Sequence, residues 1–104
     1  MKLLFVSHNA TLTGAPKVLF QIAKEFAKQH EVMLVTKEDG PLFQEMLRDP
    51  KNTIVGHNTD TAYGKYDFSF EEKVEMARLF LETEMPEVVY ANSVETAEWV
   101  IAAR

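Results

Sequence analysis

With 104 residues, 46% of them hydrophobic and 26% charged, the chain has the composition of a folded unit, long enough for one core and too short for two. Its formal net charge of −5 argues against a nucleic-acid binder, which needs a basic surface for phosphates. The absence of cysteine removes thiol catalysis, disulfides and thiolate metal sites. No apolar run approaches the roughly 20 residues that span a bilayer. The opening Met1–Val6 run is broken by Ser7, His8 and Asn9, too early for the apolar stretch of at least ~7 residues in a signal peptide. A cytoplasmic location is therefore the expectation, with a longer parent free to be peripheral to an inner membrane.

Leu3 to Val6 is continuously apolar, the pattern of a strand covered on both faces. After a short loop, Gly14-Ala15-Pro16 opens a helix, with Thr13 placed to cap it and Pro16 in the first turn, where a missing N–H does no harm. Val18, Leu19, Ile22, Ala23 and Phe26 recur at helical spacing, with Lys17, Gln21, Lys24, Glu25 and Lys28 opposite. Val32 to Val35 predicts a second strand. Lys37 to Gly40 reads as a polar turn, and Leu42, Phe43, Met46 and Leu47 give a short amphipathic helix that stops before Pro50. Thr53 to Val55 predicts a third strand. His57 to Ser69 reads as a loop carrying Tyr63, Tyr66 and Phe68. Ser69 and Glu72 then form a capping box, and the helix behind them carries Phe70, Val74, Ala77 and Leu81 on one stripe and ends before Pro86. Val88 to Ala91 is the fourth strand. Asn92 or Ser93 caps a last helix with Val94, Ala97 and Ile101 inward and Trp99 off that stripe.

Strand and helix thus alternate four times. Strands joined by helical crossovers lie parallel with helices on both faces, so the expected fold is α/β, a Rossmann-like doubly wound sheet of about four strands in the order 3-2-1-4. The last helix meets no Gly, Asn or Pro before Arg104, and a fourth strand at the edge leaves unpaired backbone and an apolar flank. The expectation is a truncated lobe, with further strands after Arg104 or a partner, a second copy included, on the exposed edge.

In such a sheet ligands bind outside the carboxyl ends of the strands, where strand order reverses. Here that crevice lies between the first and fourth strands and gathers Ser7, His8, the turn through Gly14-Ala15-Pro16, Asn92 and Ser93. Gly14 at the entry to a helix suits an approaching phosphate or diphosphate; a tight loop that needs a small residue explains it equally well. The dinucleotide pattern G-x-G-x-x-G and the phosphate-loop pattern before Lys17 are both absent. His8 reads either as a crevice donor or base or as a partner for loop backbone. His30 suits a helix end, and His57 reads as a solvated loop residue or one facing a ligand. These histidines show no metal-ligand spacing, so no metal is expected. Glu38 and Asp39 suit either a turn or a ribose hydroxyl. Neither Ser7 nor Ser93 sits in a nucleophile elbow.

Ser7-His8-Asn9-Ala10-Thr11-Leu12-Thr13-Gly14-Ala15-Pro16 resembles the first strand and loop of bacterial glycosyltransferases of the family 4 type. His30-Glu31-Val32, Asp39-Gly40-Pro41-Leu42 and Val89-Tyr90-Ala91-Asn92-Ser93 resemble later stretches of that family in the same order, so the likeness spans nearly the whole chain. The resemblance implies the GT-B arrangement of two lobes around a cleft, with residues 1–104 as the amino-terminal, acceptor-side lobe. It implies transfer of a hexosyl-type sugar from a nucleotide-sugar donor to a glycan or lipid-linked acceptor. The loop Gly14-Ala15-Pro16 would meet the donor diphosphate, through the backbone N–H groups of Gly14 and Ala15, although the family's paired glycines and following acid are here Thr13-Gly14-Ala15-Pro16. Nucleotide binding and paired glutamates would belong to the other lobe, no cofactor is implied, and residues 1–104 would be inactive alone. The competing expectation is a stand-alone Rossmann-like module that pairs through its sheet edge.

Overall fold

The computed structural model describes residues 1–8, 14–38, 40–59, 68–91 and 96–103, with backbone only for Ala15 and Leu47. Its elements run β1 (Lys2–Ser7), α1 (Gly14–Phe26), β2 (Glu31–Thr36), α2 (Pro41–Arg48), β3 (Val55–Asn58), α3 (Phe70–Glu84), β4 (Val88–Ala91) and α4 (Ala97–Ala102). The strands form one sheet in the order β3-β2-β1-β4, and every neighbouring pair is parallel. The expected α/β fold and strand order are both present.

Strand alternation divides the core. Leu3 and Phe5 of β1 with Val32 and Leu34 of β2 pack against Leu19 and Ala23 of α1 and Leu42 and Met46 of α2. Leu4, Val6 and Val35 turn the other way, toward Val74 and Ala77 of α3 and Trp99 and Ala102 of α4. The central strand β1 is buried from Leu3 to Ser7, which is why its sequence is a continuous apolar run rather than an alternating one. Each large aliphatic side chain buried this way contributes about 1.5–3 kcal/mol.

Several local expectations shift. The third strand begins at Val55 rather than Thr53. The Asn52 side chain donates to the Ile54 carbonyl and accepts from the Ile54 N–H, both at 3.1 Å. Those backbone groups are therefore satisfied locally and cannot join the ladder with β2; Ile54 still buries its side chain in the core. Further along β3, a methyl placed on Gly56 would meet the Phe43 ring at 2.6 Å, so α2 rests directly on this strand's backbone.

The capping box at the start of α3 is present: Glu72 N–H donates to Ser69 Oγ at 3.1 Å, and Ser69 N–H to Glu72 Oε1 at 3.2 Å. The inward stripe begins a turn later than expected, at Val74. Phe70 is exposed, and Phe80 packs against the core beside Leu81. In α1, likewise, Val18 and Phe26 are exposed while Leu19 and Ala23 are buried. Helix α4 is rotated from its expected orientation. Ile101 is exposed, and Glu98, Trp99 and Ala102 face inward. The physical cause is that Trp99 meets Phe80 edge to face at 5.5 Å while Glu98 joins a lysine described below. Trp99 is thus part of the core. Thr96 precedes α4 without a side-chain cap bond. The expected caps Thr13, Asn92 and Ser93, together with Val94, lie outside the described residues, as do Tyr63 and Tyr66.

At the amino ends of the strands the closure is simple. Glu87 N–H donates to the Lys2 carbonyl and Glu31 N–H to the Met1 carbonyl, and Lys2 Nζ lies 2.9 Å from Glu84 Oε2. Helix α3 ends on Met85, in the left-handed conformation at φ 51°, with its N–H donating to the Leu81 carbonyl. β4 lies at the sheet edge, as expected. On its α1 side Val88 and Tyr90 are 47% and 49% exposed, and Phe26 of α1 is exposed as well; Tyr90 and Phe26 each meet Phe5, with ring centroids 5.8 and 6.0 Å from it.

Candidate functional site at the carboxyl rim

The parallel ladders bring the carboxyl ends of all strands to one rim. Val6 pairs with Ala91 on one side of β1 and with Val35 on the other. The switch of strand order therefore falls where expected, between β1 and β4, and Ser7 and His8 emerge there. Asn92 and Ser93 lie outside the described residues, so the other half of that crevice is described only as far as Ala91.

Gly14 opens α1 with φ 64°, a backbone conformation that costs other L-residues roughly 1–2 kcal/mol. Its chain neighbours and its own helix apart, no atom of the described residues lies within 4 Å of where its Cβ would be. The glycine is therefore required by backbone geometry, and no described residue crowds it. Pro16 follows in the first turn, half-buried. His8 is mostly enclosed, its side chain 23% exposed, with Nε2 3.8 Å from Glu38 Oε2. That distance is too long for a hydrogen bond; it joins the loops after β1 and β2 electrostatically when the imidazole is protonated.

Register adds a feature that sequence reasoning missed. Ser7 pairs with Thr36, and Thr36 with Asn58, so three polar side chains stand in a row across three parallel strands. By alternation they point to the face covered by α1 and α2. Thr36 is 0% exposed and its Oγ1 has no hydrogen-bond partner, although its carbonyl accepts from the Thr59 N–H at 2.9 Å. Only the pairing register reveals this row, because the three residues are scattered in sequence.

On the opposite face Lys37 continues past β2. Its N–H donates to the Ser7 carbonyl at 3.2 Å, and its Nζ lies 2.5 Å from Glu98 Oε1, the two side chains being 5% and 4% exposed. Two opposite charges removed from water this completely need each other: breaking one partner leaves an uncompensated charge inside the protein. The pair clamps α4 to the end of β2 across β1. The sequence signalled neither residue, since Lys37 reads as part of a polar turn and nothing in the local pattern marks Glu98.

Compared with known proteins, the chain matches no family model, no curated protein and no solved structure.

The remaining candidates separate by position. His30 sits before β2, at the end of the sheet opposite the crevice, with its N–H donating to the Phe26 carbonyl. His57 lies in β3, away from the β1–β4 switch, its ring 5.0 Å from Phe80. Among the described residues no three His, Asp or Glu side chains are grouped to hold a metal ion, and no helix is long and apolar enough to cross a membrane. Chemically, the rim offers open backbone at a helix start, an imidazole near a carboxylate and a row of hydroxyl and amide groups. That set suits binding a polar, anionic ligand better than activating a nucleophile.

Proposed function

We propose that this chain is the acceptor-side lobe of a nucleotide-sugar glycosyltransferase, one that passes a hexosyl-type sugar to a glycan or lipid-linked acceptor. The observation that carries the reading is the placement of Gly14: a left-handed residue that no described residue crowds, at the helix that follows β1, on the rim where strand order reverses. A diphosphate approaching there meets backbone N–H groups of Gly14, Ala15 and the first turn, and the partial positive charge of a helix start. The resemblance of the Ser7–Pro16 stretch to family 4-type enzymes supports the same assignment. Ser7 and His8, with Asn92 and Ser93, are the residues offered to the acceptor side.

Transfer requires the acceptor hydroxyl to be held in line with the donor's anomeric carbon while the leaving diphosphate is stabilised. In this reading the chain supplies one wall of that arrangement and turns over no nucleotide sugar by itself. Amide spectra of the purified chain, titrated with UDP-glucose and GDP-mannose, test this. Shifts at Gly14, Ala15, Ser7 and His8, with none around Lys2 and Met85, are the expected outcome. A silent carboxyl rim would remove the donor-loop assignment, and turnover of either compound by the chain alone would remove the acceptor-lobe assignment.

A second reading is favoured by the exposed Val88 and Tyr90 beside Phe26: a binding module that pairs through β4. Sedimentation separates the two. A dimer dissociated by Tyr90→Lys supports pairing through β4, and a monomer at all concentrations removes it.

A further inference from the structure

We propose that the hollow between the carboxyl end of β3 and α3 binds a small cyclic anion, a single ring bearing one phosphate. The inference is independent of the transferase reading, because the site lies two strands away from the β1–β4 switch. The cavity measures about 180 Å³, and its walls include His57, Asn58, Thr59, Lys73, Phe80 and Trp99.

Its floor is apolar and rigid. Trp99 is 3% exposed and meets Phe80 at 5.5 Å with an interplanar angle of 81°. Phe80 in turn carries the exposed His57 ring at 5.0 Å. Flat aromatic surfaces of this kind favour a ligand with an apolar ring face. Above that floor stand the Lys73 ammonium, the His57 imidazole and the Thr59 hydroxyl, and among the described residues no carboxylate lines the cavity.

That no described carboxylate lines the wall is informative in a chain with 16 acidic and 11 basic residues. The groove between α1 and α2, by contrast, mixes Lys17, Lys24 and Lys28 with Glu25, Glu45 and Asp49. Neighbouring acids on α3 are committed elsewhere: Glu72 closes the capping box, and Glu75 lies 2.5 Å from Arg78. Among the described residues no carboxylate lies within ion-pair distance of Lys73. A cation left available beside neutral donors over an aromatic floor selects a negative charge attached to something flat.

Size narrows the ligand further. The volume equals that of about six liquid waters and falls below the ~300–1,000 Å³ of pockets for drug-sized ligands. A nucleotide is too large, whereas one ring with one phosphate fits.

The chain reports on this site through its only tryptophan, Trp99. Emission should be followed during titration with glucose 1-phosphate, phenyl phosphate, inorganic phosphate and glucose. Saturable change with at least one ring phosphate near or below about 1 mM, and about tenfold weaker binding of inorganic phosphate and of glucose, is expected. The glucose and phenyl arms decide whether the preferred ring is a sugar or an aromatic. Lys73→Gln should weaken binding about tenfold with the melting temperature unchanged, and Lys17→Gln, in the α1–α2 groove, should leave it as it was. Inorganic phosphate binding as tightly as both ring phosphates would overturn the proposal. So would an unchanged affinity in Lys73→Gln, or no response to either ring phosphate up to about 10 mM.

Discussion

The two ends of the sheet are built from the same parts in opposite states. Among the described residues each has one Lys–Glu pair and one residue with left-handed backbone. At the amino end, Lys2 and Glu84 keep 24% and 31% of their side chains in water, and the left-handed residue is a methionine, 75% exposed. At the carboxyl end, Lys37 and Glu98 are almost fully enclosed, and the left-handed residue is Gly14. Every buried polar or charged residue among those described, namely Ser7, Thr36, Lys37, Thr96 and Glu98, also gathers at the carboxyl end. Closing off strands needs little, as the amino end demonstrates. Burying polar groups carries a desolvation penalty, so the carboxyl end is where stability has been given up for something other than closure.

That contrast can be broken by substitution. Glu98→Ala should destabilise the chain by about 3–5 kcal/mol, because it removes the buried carboxylate that faces the Lys37 ammonium and leaves that ammonium out of water. The double change Lys37→Met with Glu98→Leu should recover most of that loss, as read from urea denaturation midpoints. If Glu98→Ala is as mild as a surface change, the two ends do not differ in kind. Gly14→Ala comes next: with φ at 64°, the added Cβ should lower stability by about 1–2 kcal/mol. The mirror experiment is Met85→Gly, which removes the same strain at the amino end and should raise the melting temperature, a gain of about 0.5–1 kcal/mol. Lys2→Ala, which opens the solvated pair, should lower stability by less than about 1 kcal/mol, with the loss fading at high salt. Thr36→Val is expected to have the smallest effect. It keeps the shape and deletes a buried hydroxyl whose oxygen has no partner, so stability should stay within about 0.5 kcal/mol or rise; a larger loss would mean the hydroxyl is satisfied.

Much of the fold was legible because its signals are local. Continuous apolar runs marked β1 and β2, Ser69 and Glu72 wrote out their capping box, and strict alternation of elements implied parallel pairing and the 3-2-1-4 order. What escaped depends on contacts between distant segments. The start of β3 moved because the Asn52 side chain takes both backbone groups of Ile54, a competition invisible to strand propensity. The rotation of α4 is set by Phe80 and Lys37, neither of which lies near it in sequence. In the candidate site, Ser7, His8 and Gly14 were readable from their place after an apolar run, while the Ser7–Thr36–Asn58 row needed the register. Lys73 escaped because the residues around it on α3 look like an ordinary solvated helix face.

The strand order has a further consequence for how the chain comes into being. β1 is synthesised before the other strands, yet one of its two flanks stays empty until β4 arrives, since Leu3 pairs with Val88. A nascent chain emerging from the ribosome can zip β2 and β3 onto β1 early, but its central strand keeps one side unzipped until nearly all of the elements described here have been made. Long-range closure of this kind slows folding, and ribosome-bound chains cut before Val88 should remain open to protease along β1.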